Sequence, residues 1–482
     1  FREKLVEAVA EIDDRLIEKY LGGEELTLEE LRTGLRQATI SGKIVPILAG
    51  SALQNVGINW LMDAVYDYLP APKEREVIIA TDSAEQKIEP SQEAPLAALV
   101  FKTSADPYVG KLTYFRVYNG AIDSNSQVWN ATRGGTERIG QLFMLRGKAQ
   151  EPVSQIRAGD IGAVAKLSLT STGDTLCRQD KALKIIPARF PEPIFGEAVY
   201  PKTKADLDKL GEALSRIAEE DPTLRVRREA DTGETILSGI GETHIEVAAE
   251  KMLRKFGVGV KLQIPKVPYK ETITIPAKAE YKHKKQTGGH GQYGHVFLEL
   301  EPLPRGSGNE FAGRIVGGAI PKNYIPAVEK GVNEAIQDGV LAHYPVVDIK
   351  TTLYDGSFHP VDSSEICFKI AGAQALKKGL SQAQPILLEP IMNIKVTVPS
   401  DLTGDIIGDL NTKRARVLGM NPEGNTNIIE AQVPLAEVLR YAIDLKSMTQ
   451  GRGSYTLEFS HYEEVPSHLT QKIITGRQAE KT

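Results

Sequence analysis

One order of strands and helices is written twice in this chain, and that repetition restricts the fold more than any other feature. From roughly residue 193 to 268, a β-type run (Phe195 to Tyr200) precedes a helical pattern carrying Leu207, Leu210, Leu214 and Ile217. Two strands follow, Arg225 to Glu229 and Thr235 to Gly239, joined by the turn Asp231-Thr232-Gly233. A second helix places Ile245, Ala248, Ala249, Met252 and Phe256 on one face, with Thr243 and Glu246 at capping-box spacing at its start. Val260 to Ile264 closes the unit as βαββαβ, the split arrangement of ferredoxin-like domains. The order recurs from Glu389 to about Val465. Ile391 to Val398 is a strand, Leu402, Ile406 and Leu410 mark a helix, and Arg416 to Met420 and Asn427 to Val433 form a hairpin around Pro422-Glu423-Gly424. Pro434, at a helix N1 position, leads into Leu435, Val438, Leu439, Ala442 and Leu445, and Tyr455 to Phe459 is the last strand.

A chain of 482 residues exceeds one compact core, so these two units have neighbours. Before them, Leu96 to Lys102, Lys111 to Val117, Gln127 to Asn130, Arg138 to Phe143 and Ala163 to Leu167 are short strands separated by glycine turns. They predict a small closed β-barrel, a scaffold with no chemistry of its own. Earlier still, Leu5, Val9, Ile12 and Leu16 recur at helical spacing, as do Leu28, Leu31 and Leu35. Ile44 to Ala49 then reads as a buried strand ending in Gly50-Ser51-Ala52-Leu53. A helix follows with Trp60, Leu61, Ala64, Val65, Tyr68 and Leu69 on one face, stopped by Pro70-Ala71-Pro72. Strand, small-residue turn and helix make the natural last unit of an α/β domain. The chain opens at Phe1 inside a helical pattern, as a piece of something longer would.

Between the repeats lie two glycine-cornered turns. The first, Gly288-Gly289-His290-Gly291-Gln292-Tyr293-Gly294, is preceded by Lys282, His283, Lys284 and Lys285. The second is Asp355-Gly356-Ser357-Phe358-His359-Pro360-Val361-Asp362, before a helix opening on Ser363-Ser364-Glu365. Glycine permits positive φ and close backbone approach, while lysine, histidine, glutamine and tyrosine bring charge, hydrogen bonds and a stacking face. That mixture suits irregular RNA. A net charge of −5 excludes a uniformly basic nucleic-acid binder, so any such contact is local. An exposed corner without a role is the plain alternative.

Several short matches point elsewhere and fail on context. Gly289, Gly291 and Gly294 fit G-x-G-x-x-G, but the β-type run Val296 to Leu300 follows, where a pyrophosphate site needs a helix N-terminus. Thr203-Lys204-Ala205-Asp206 and Asp401-Leu402-Thr403-Gly404 imitate nucleotide motifs, yet no G-x-x-x-x-G-K-[ST] loop occurs in the sequence. His244-Ile245-Glu246 lacks the P-C-x-x-C of a zinc deaminase. His283, His290 and His295 have no carboxylate or cysteine to complete a metal site. His359 beside Asp362 and Glu365 is a candidate acid–base group. Cys177 and Cys367 are too far apart in sequence to suggest a disulfide framework or paired zinc motif, and no apolar span suggests a membrane.

The residues also carry a family resemblance along nearly the whole chain. The runs Gly50 to Leu53, Gly239 to His244, His283 to His295, Asp362 to Glu365, Leu388 to Met392, Gly408 to Asn411 and Met448 to Gly453 resemble, in order, elongation factor G, the ribosomal translocase. His290 stands where that family more often carries arginine, which softens the local positive charge. The resemblance implies a multidomain α+β architecture. Residues 1–73 would be the remnant of an α/β GTPase domain with part of its insertion, and 74–191 a β-barrel. Ferredoxin-like domains at 192–268 and 386–482 would flank an elongated α+β domain at 269–385. It implies that Gly288, Gly289, His290, Gly291, Gln292, Tyr293 and His359 form tip loops contacting the ribosome and the transfer RNA–messenger RNA complex. Ser51, Ala52 and Leu53 match a guanine-contacting element. The other nucleotide elements have no counterpart here, so GTP and Mg²⁺ are expected in the intact parent and neither on this chain, which is expected to lack GTPase activity alone. The implied partners are ribosomal RNA, ribosomal proteins and the tRNA–mRNA complex, for a cytoplasmic monomer without metal or membrane. A paralogue acting in ribosome recycling or rescue shares the fold, and a non-enzymatic RNA-binding scaffold is the alternative of another class.

Overall fold

In the computed structural model, which describes residues 2–74, 77–80, 85–88, 90–106, 110–147, 149–286, 291–316 and 318–481, the pattern written twice becomes the same sheet twice. Strands Phe195–Pro201, Arg225–Arg228, Thr235–Gly239 and Val260–Gln263 lie antiparallel, in the spatial order second, third, first, fourth. Strands Pro385–Pro399, Arg416–Glu423, Thr426–Pro434 and Ser454–Glu464 repeat that order. The helix stripes seen in sequence meet in one apolar cluster. Leu210, Leu214, Ile217, Ile245 and Met252 of the first domain join Ile406, Leu410, Tyr441, Leu445 and Tyr455 of the second. Each fully buried aliphatic side chain there contributes about 1.5–3 kcal/mol. The Tyr455 hydroxyl donates to the Ile194 carbonyl at 2.7 Å and so keeps its polar end satisfied across this junction.

Local details differ from the sequence expectation for identifiable reasons. Helix Glu242–Phe256 starts before Thr243 could act as its cap; Gly241 is its N-cap and no side chain caps it. The nucleotide-like Thr203 and Asp206 do form a reciprocal capping box, for helix Lys204–Glu220. Pro434 is an N-cap and not the first helical residue, and the expected single helix after it splits into Leu435–Val438 and Tyr441–Thr449.

Between these domains the chain forms strands β1 (Ala277–Lys285), β2 (Gln292–Pro302) and β3 (Glu310–Gly313), helix α1 (Ile325–Asp338), strand β4 (Ile349–Ser357) and helix α2 (Glu365–Gln382). The sheet order is β1-β2-β4-β3, antiparallel except for β3 beside β4. Alternate residues Val296, Leu298 and Leu300 of β2 and Leu353 of β4 pack against Val328, Val332, Phe368, Ala375 and Leu376 of the two helices. Close approach is built into the sequence. A Cβ on Gly294 would sit 2.9 Å from the Cys367 carbonyl, so only glycine lets β2 lie against the first turn of α2. At the root, Lys270–Ile273 pairs with Pro385 to Leu388, the first part of the long strand Pro385–Pro399.

Residues Phe1–Arg189 form a compact unit of their own. Helices Arg2–Ala10, Asp14–Leu21 and Leu28–Ile40 pack around Val9, Ala10, Leu16 and Leu26. The stretch Ile44 to Ala49 is not a buried strand: no ladder forms, and Val45 and Ile47 are 79% and 93% exposed. A strand needs a neighbour for its N–H and C=O groups, and apolar residues alone do not supply one. Of the face expected on helix Ile58–Tyr68, Ala64 is buried while Trp60, Leu61 and Val65 are exposed. Arg36 ties off this region, donating to the Asp67 carbonyl at 2.7 Å and to both Glu74 carboxylate oxygens. From residue 97 an eight-stranded antiparallel sheet and the ribbon Ala121–Asp123 with Gln155–Arg157 enclose one core, Phe115, Val117, Ile122, Leu142, Ile156 and Leu176 among it. The expected strand Arg138 to Phe143 is two, Gly135–Arg138 and Leu142–Arg146, divided where buried Ile139 turns inward.

Candidate functional site

The two glycine corners, far apart in sequence, meet at one end of the β1-β2-β4-β3 sheet. β1 ends at Lys285 and β2 begins at Gln292; Gly288, Gly289 and His290 of the first corner lie outside the described residues. Gly291, Gln292 and Tyr293 are described, and the second corner clasps them. The Gly291 N–H donates to Asp362 Oδ1 at 2.9 Å, and the Tyr293 N–H donates to the Asp362 carbonyl at 2.9 Å. The Ser363 hydroxyl donates to the Tyr293 carbonyl at 2.9 Å, and the Tyr293 and Ser357 hydroxyls lie 2.8 Å apart. A hydrogen bond contributes about 0.5–1.5 kcal/mol net, more when the acceptor is charged, so this set holds Gly291 to Tyr293 against the second corner. The fit at Gly291 is close: a Cβ there would stand 3.0 Å from Asp362 Cγ, and the carboxylate would have to give by a few tenths of an ångström.

His359 projects from the second corner, its side chain half exposed. Its backbone N–H donates to Ser363 Oγ at 2.8 Å. Imidazole Nδ1 turns inward, 3.2 Å from both the Asp362 amide nitrogen and Asp362 Oδ2, and Nε2 has no hydrogen bond among the described residues. Its ring lies 6.3 Å from that of Tyr293, and Lys282 Nζ stands 5.4 Å from the Tyr293 ring centroid. The corner therefore offers a histidine edge, an aromatic face and exposed lysines at Lys282, Lys284 and Lys285.

The His359–Asp362 pair exists as the sequence suggested, but Glu365 forms no ion pair with it among the described residues, and the nearby Ser363 hydroxyl is committed to Tyr293. Of the three histidines the sequence places at the first corner, His290 lies outside the described residues and the other two take separate partners. His283 Nε2 meets Gln292 Oε1 at 2.9 Å, and His295 lies between Glu280, at 3.3 Å, and Ser357, at 3.4 Å. Among the described residues no cluster of histidine, cysteine or carboxylates suits a metal ion, and no helix is long and apolar enough to cross a membrane. Sequence reasoning named Tyr293 and His359 but missed the clasp. The Asp362-Ser363-Ser364 run ahead of a helix was its signal, because short polar side chains there bond backbone groups.

Ser51, Ala52 and Leu53 form a separate turn in the first unit. Ser51 and Val56 exchange both backbone hydrogen bonds at 3.0 Å, Asn55 takes a left-handed φ of 53°, and Leu53 is fully exposed. This turn is closed by its own backbone pair and brings no phosphate cradle.

Four domain models match consecutive parts of the chain: elongation factor G domain 2 at 95–179, domain III at 190–264, domain IV at 265–384 and the elongation factor G C-terminus at 386–473. A similar solved structure is the Thermus thermophilus protein titled ttk003000868. It is 41% identical with a TM-score of 0.69, over 99% of this chain and 70% of that one. With the clasped corners in the segment matched by domain IV, and a ferredoxin-like domain on either side, the chain belongs to the elongation factor G family, a translation elongation factor-type protein.

Proposed function

We propose that this chain supplies the arm by which a ribosomal translocase holds the tRNA–mRNA complex as it moves. The observation that supports the reading is the anchoring of Gly291 and Tyr293 by Asp362 and Ser363, which brings segments about seventy residues apart together at one exposed end. Residues held in place before contact lose less conformational entropy on binding, so more of each contact remains as affinity. Backbone amides, an imidazole and lysines suit phosphates and 2′-hydroxyls and read no base sequence. A factor that acts at every codon requires that indifference. The GTP and Mg²⁺ that the family implies do not fit the residues present: the Ser51 turn brings no cation and no glycine-rich loop. No step is therefore assigned to nucleotide here.

The test is His359→Ala in the intact factor, with movement of peptidyl-tRNA and turnover of GTP measured on the same ribosomes. Translocation is expected to slow by about tenfold or more while turnover changes little. Equal loss of both, or a defect confined to splitting of ribosomal subunits, would overturn the reading.

A further inference from the structure

Strand Phe195–Pro201 sends Phe195 and Val199 into the apolar cluster shared by the two ferredoxin-like domains, and strand alternation puts Glu197 between them on the same face. Its ladder partner Leu237 is fully buried. Glu197 Oε2 is buried as well and makes no hydrogen bond among the described residues. A carboxylate oxygen so placed is costly when charged, since neither water nor a donor compensates it.

The charges that act on Glu197 come from both domains. Helix Glu242–Phe256 brings Glu242 and Glu246, which repel it, and the second ferredoxin-like domain brings Arg440, which attracts it. Arg440 is already bound to Glu242, at 2.9 Å across the junction. Lys446 of the same domain lies by Gly241, where a Cβ would stand 3.2 Å from its Nζ. The other elements packed here present apolar side chains. The neighbouring strands bring Leu237 and Leu262, and helix Lys204–Glu220 turns Leu210, Leu214 and Ile217 inward. His244 is engaged elsewhere, with Asp221 at 3.0 Å. Three carboxylates of one domain thus meet one arginine and one lysine of the other. Burial first, then Glu242 and Glu246, hold the Glu197 carboxyl above the usual carboxylate range, and Arg440 offsets this only in part.

We infer that Glu197 makes the junction of the two ferredoxin-like domains a proton-sensitive latch. With Glu197 neutral the domains stay closed on each other, held by Arg440 on Glu242. With Glu197 charged, an unbalanced carboxylate stands in the junction and the closed arrangement loosens. The closed junction takes up a proton more readily than the open one. Closure is therefore favoured most below the ordinary carboxylate value and weakens as pH rises from there through the raised one. The latch is independent of what the corners touch.

Nitroxide labels at Glu250→Cys in the first ferredoxin-like domain and Glu423→Cys in the second, both exposed, test this in the full chain by double electron–electron resonance. Cys177 and Cys367 are buried, which directs the label to the new sites. Between about pH 5 and about pH 8 the closed population of the parent is expected to fall by about half. Glu197→Gln has the same shape without the charge and should hold the closed distance at both pH values. Comparing it with the parent cancels every other group that titrates. At the higher pH, Arg440→Gln should open the junction further than in the parent, with near-ultraviolet circular dichroism verifying that each variant is folded. A parent distribution that does not respond to pH overturns the inference. So does a Glu197→Gln chain that responds as the parent does.

Discussion

The carboxylate of Asp362 accepts the backbone N–H of Gly291 at 2.9 Å, and with it a hairpin corner is tied to the loop that starts a helix. Asp362→Ala should cost only about 1 kcal/mol of global stability, because the carboxylate is partly exposed. Locally the effect should be larger: amide exchange at Gly291 and Tyr293 is expected to quicken by about tenfold or more. Asp362→Asn keeps an acceptor and should preserve most of the protection. Hydrogen exchange read by mass spectrometry over the two loops distinguishes the pair.

At the other end of the same domain, the buried carboxylate of Glu271 accepts N–H groups from Val340, Leu341, Ala342 and Tyr344, at 2.6 to 3.2 Å. Removing it leaves several buried donors without an acceptor. Glu271→Ala should therefore destabilise residues 190–482 by about 3–5 kcal/mol in urea unfolding, and Glu271→Gln by clearly less. Equal losses would mean that packing, and not the four amides, sets the cost.

Acid should loosen a specific link in the first ferredoxin-like domain. Burial raises the Asp221 carboxyl, but hydrogen bonds from Thr223 and from His244 Nε2, at 3.0 Å, outweigh it and hold the group below its usual range. A carboxyl lowered by folding stabilises the native state above its unfolded value, near pH 4, and that contribution fades as pH falls through the folded value. Between pH 5 and 3, stability should therefore decline less steeply in Asp221→Asn than in the parent. Urea midpoints measured across that range give the comparison.

With no glycine-rich phosphate loop in its sequence, the chain is expected to release no phosphate from GTP beyond the background of ribosomes alone. A malachite-green or labelled-phosphate assay with saturating ribosomes checks this. Turnover above background would assign catalytic groups to these 482 residues that neither corner provides.

Legibility followed the range of the forces involved. The ferredoxin-like units were readable because each helix stripe and strand alternation is a local record of which side faces the core, as Leu210, Leu214 and Ile217 show. Ile44 to Ala49 misled because apolar content records a preference for burial, while a strand also needs a neighbour to bond. The break at Leu439 and Arg440 escaped notice because their residue types tolerate a helix, and only the packing of Tyr441 and Leu445 against the shared cluster resets its direction. Tyr293 and His359 could be named from loop chemistry. Their clasp was legible only by half: the polar run Asp362-Ser363-Ser364 marks side chains that bond backbone, but no local pattern records that the backbone is that of Gly291 and Tyr293.

Strand Pro385–Pro399 belongs to two structures at once. Its first residues ladder with Lys270–Ile273 at the root of the corner-bearing domain, and the remainder threads the last ferredoxin-like sheet between Thr426–Pro434 and Ser454–Glu464. At Glu389 and Pro390, between the two ladders, the strand stays paired on one flank with Ser454–Glu464, so a swivel there would have to break those bonds. A swing of the corners against the final domain must therefore either break that pairing or turn about residues outside 385 to 399.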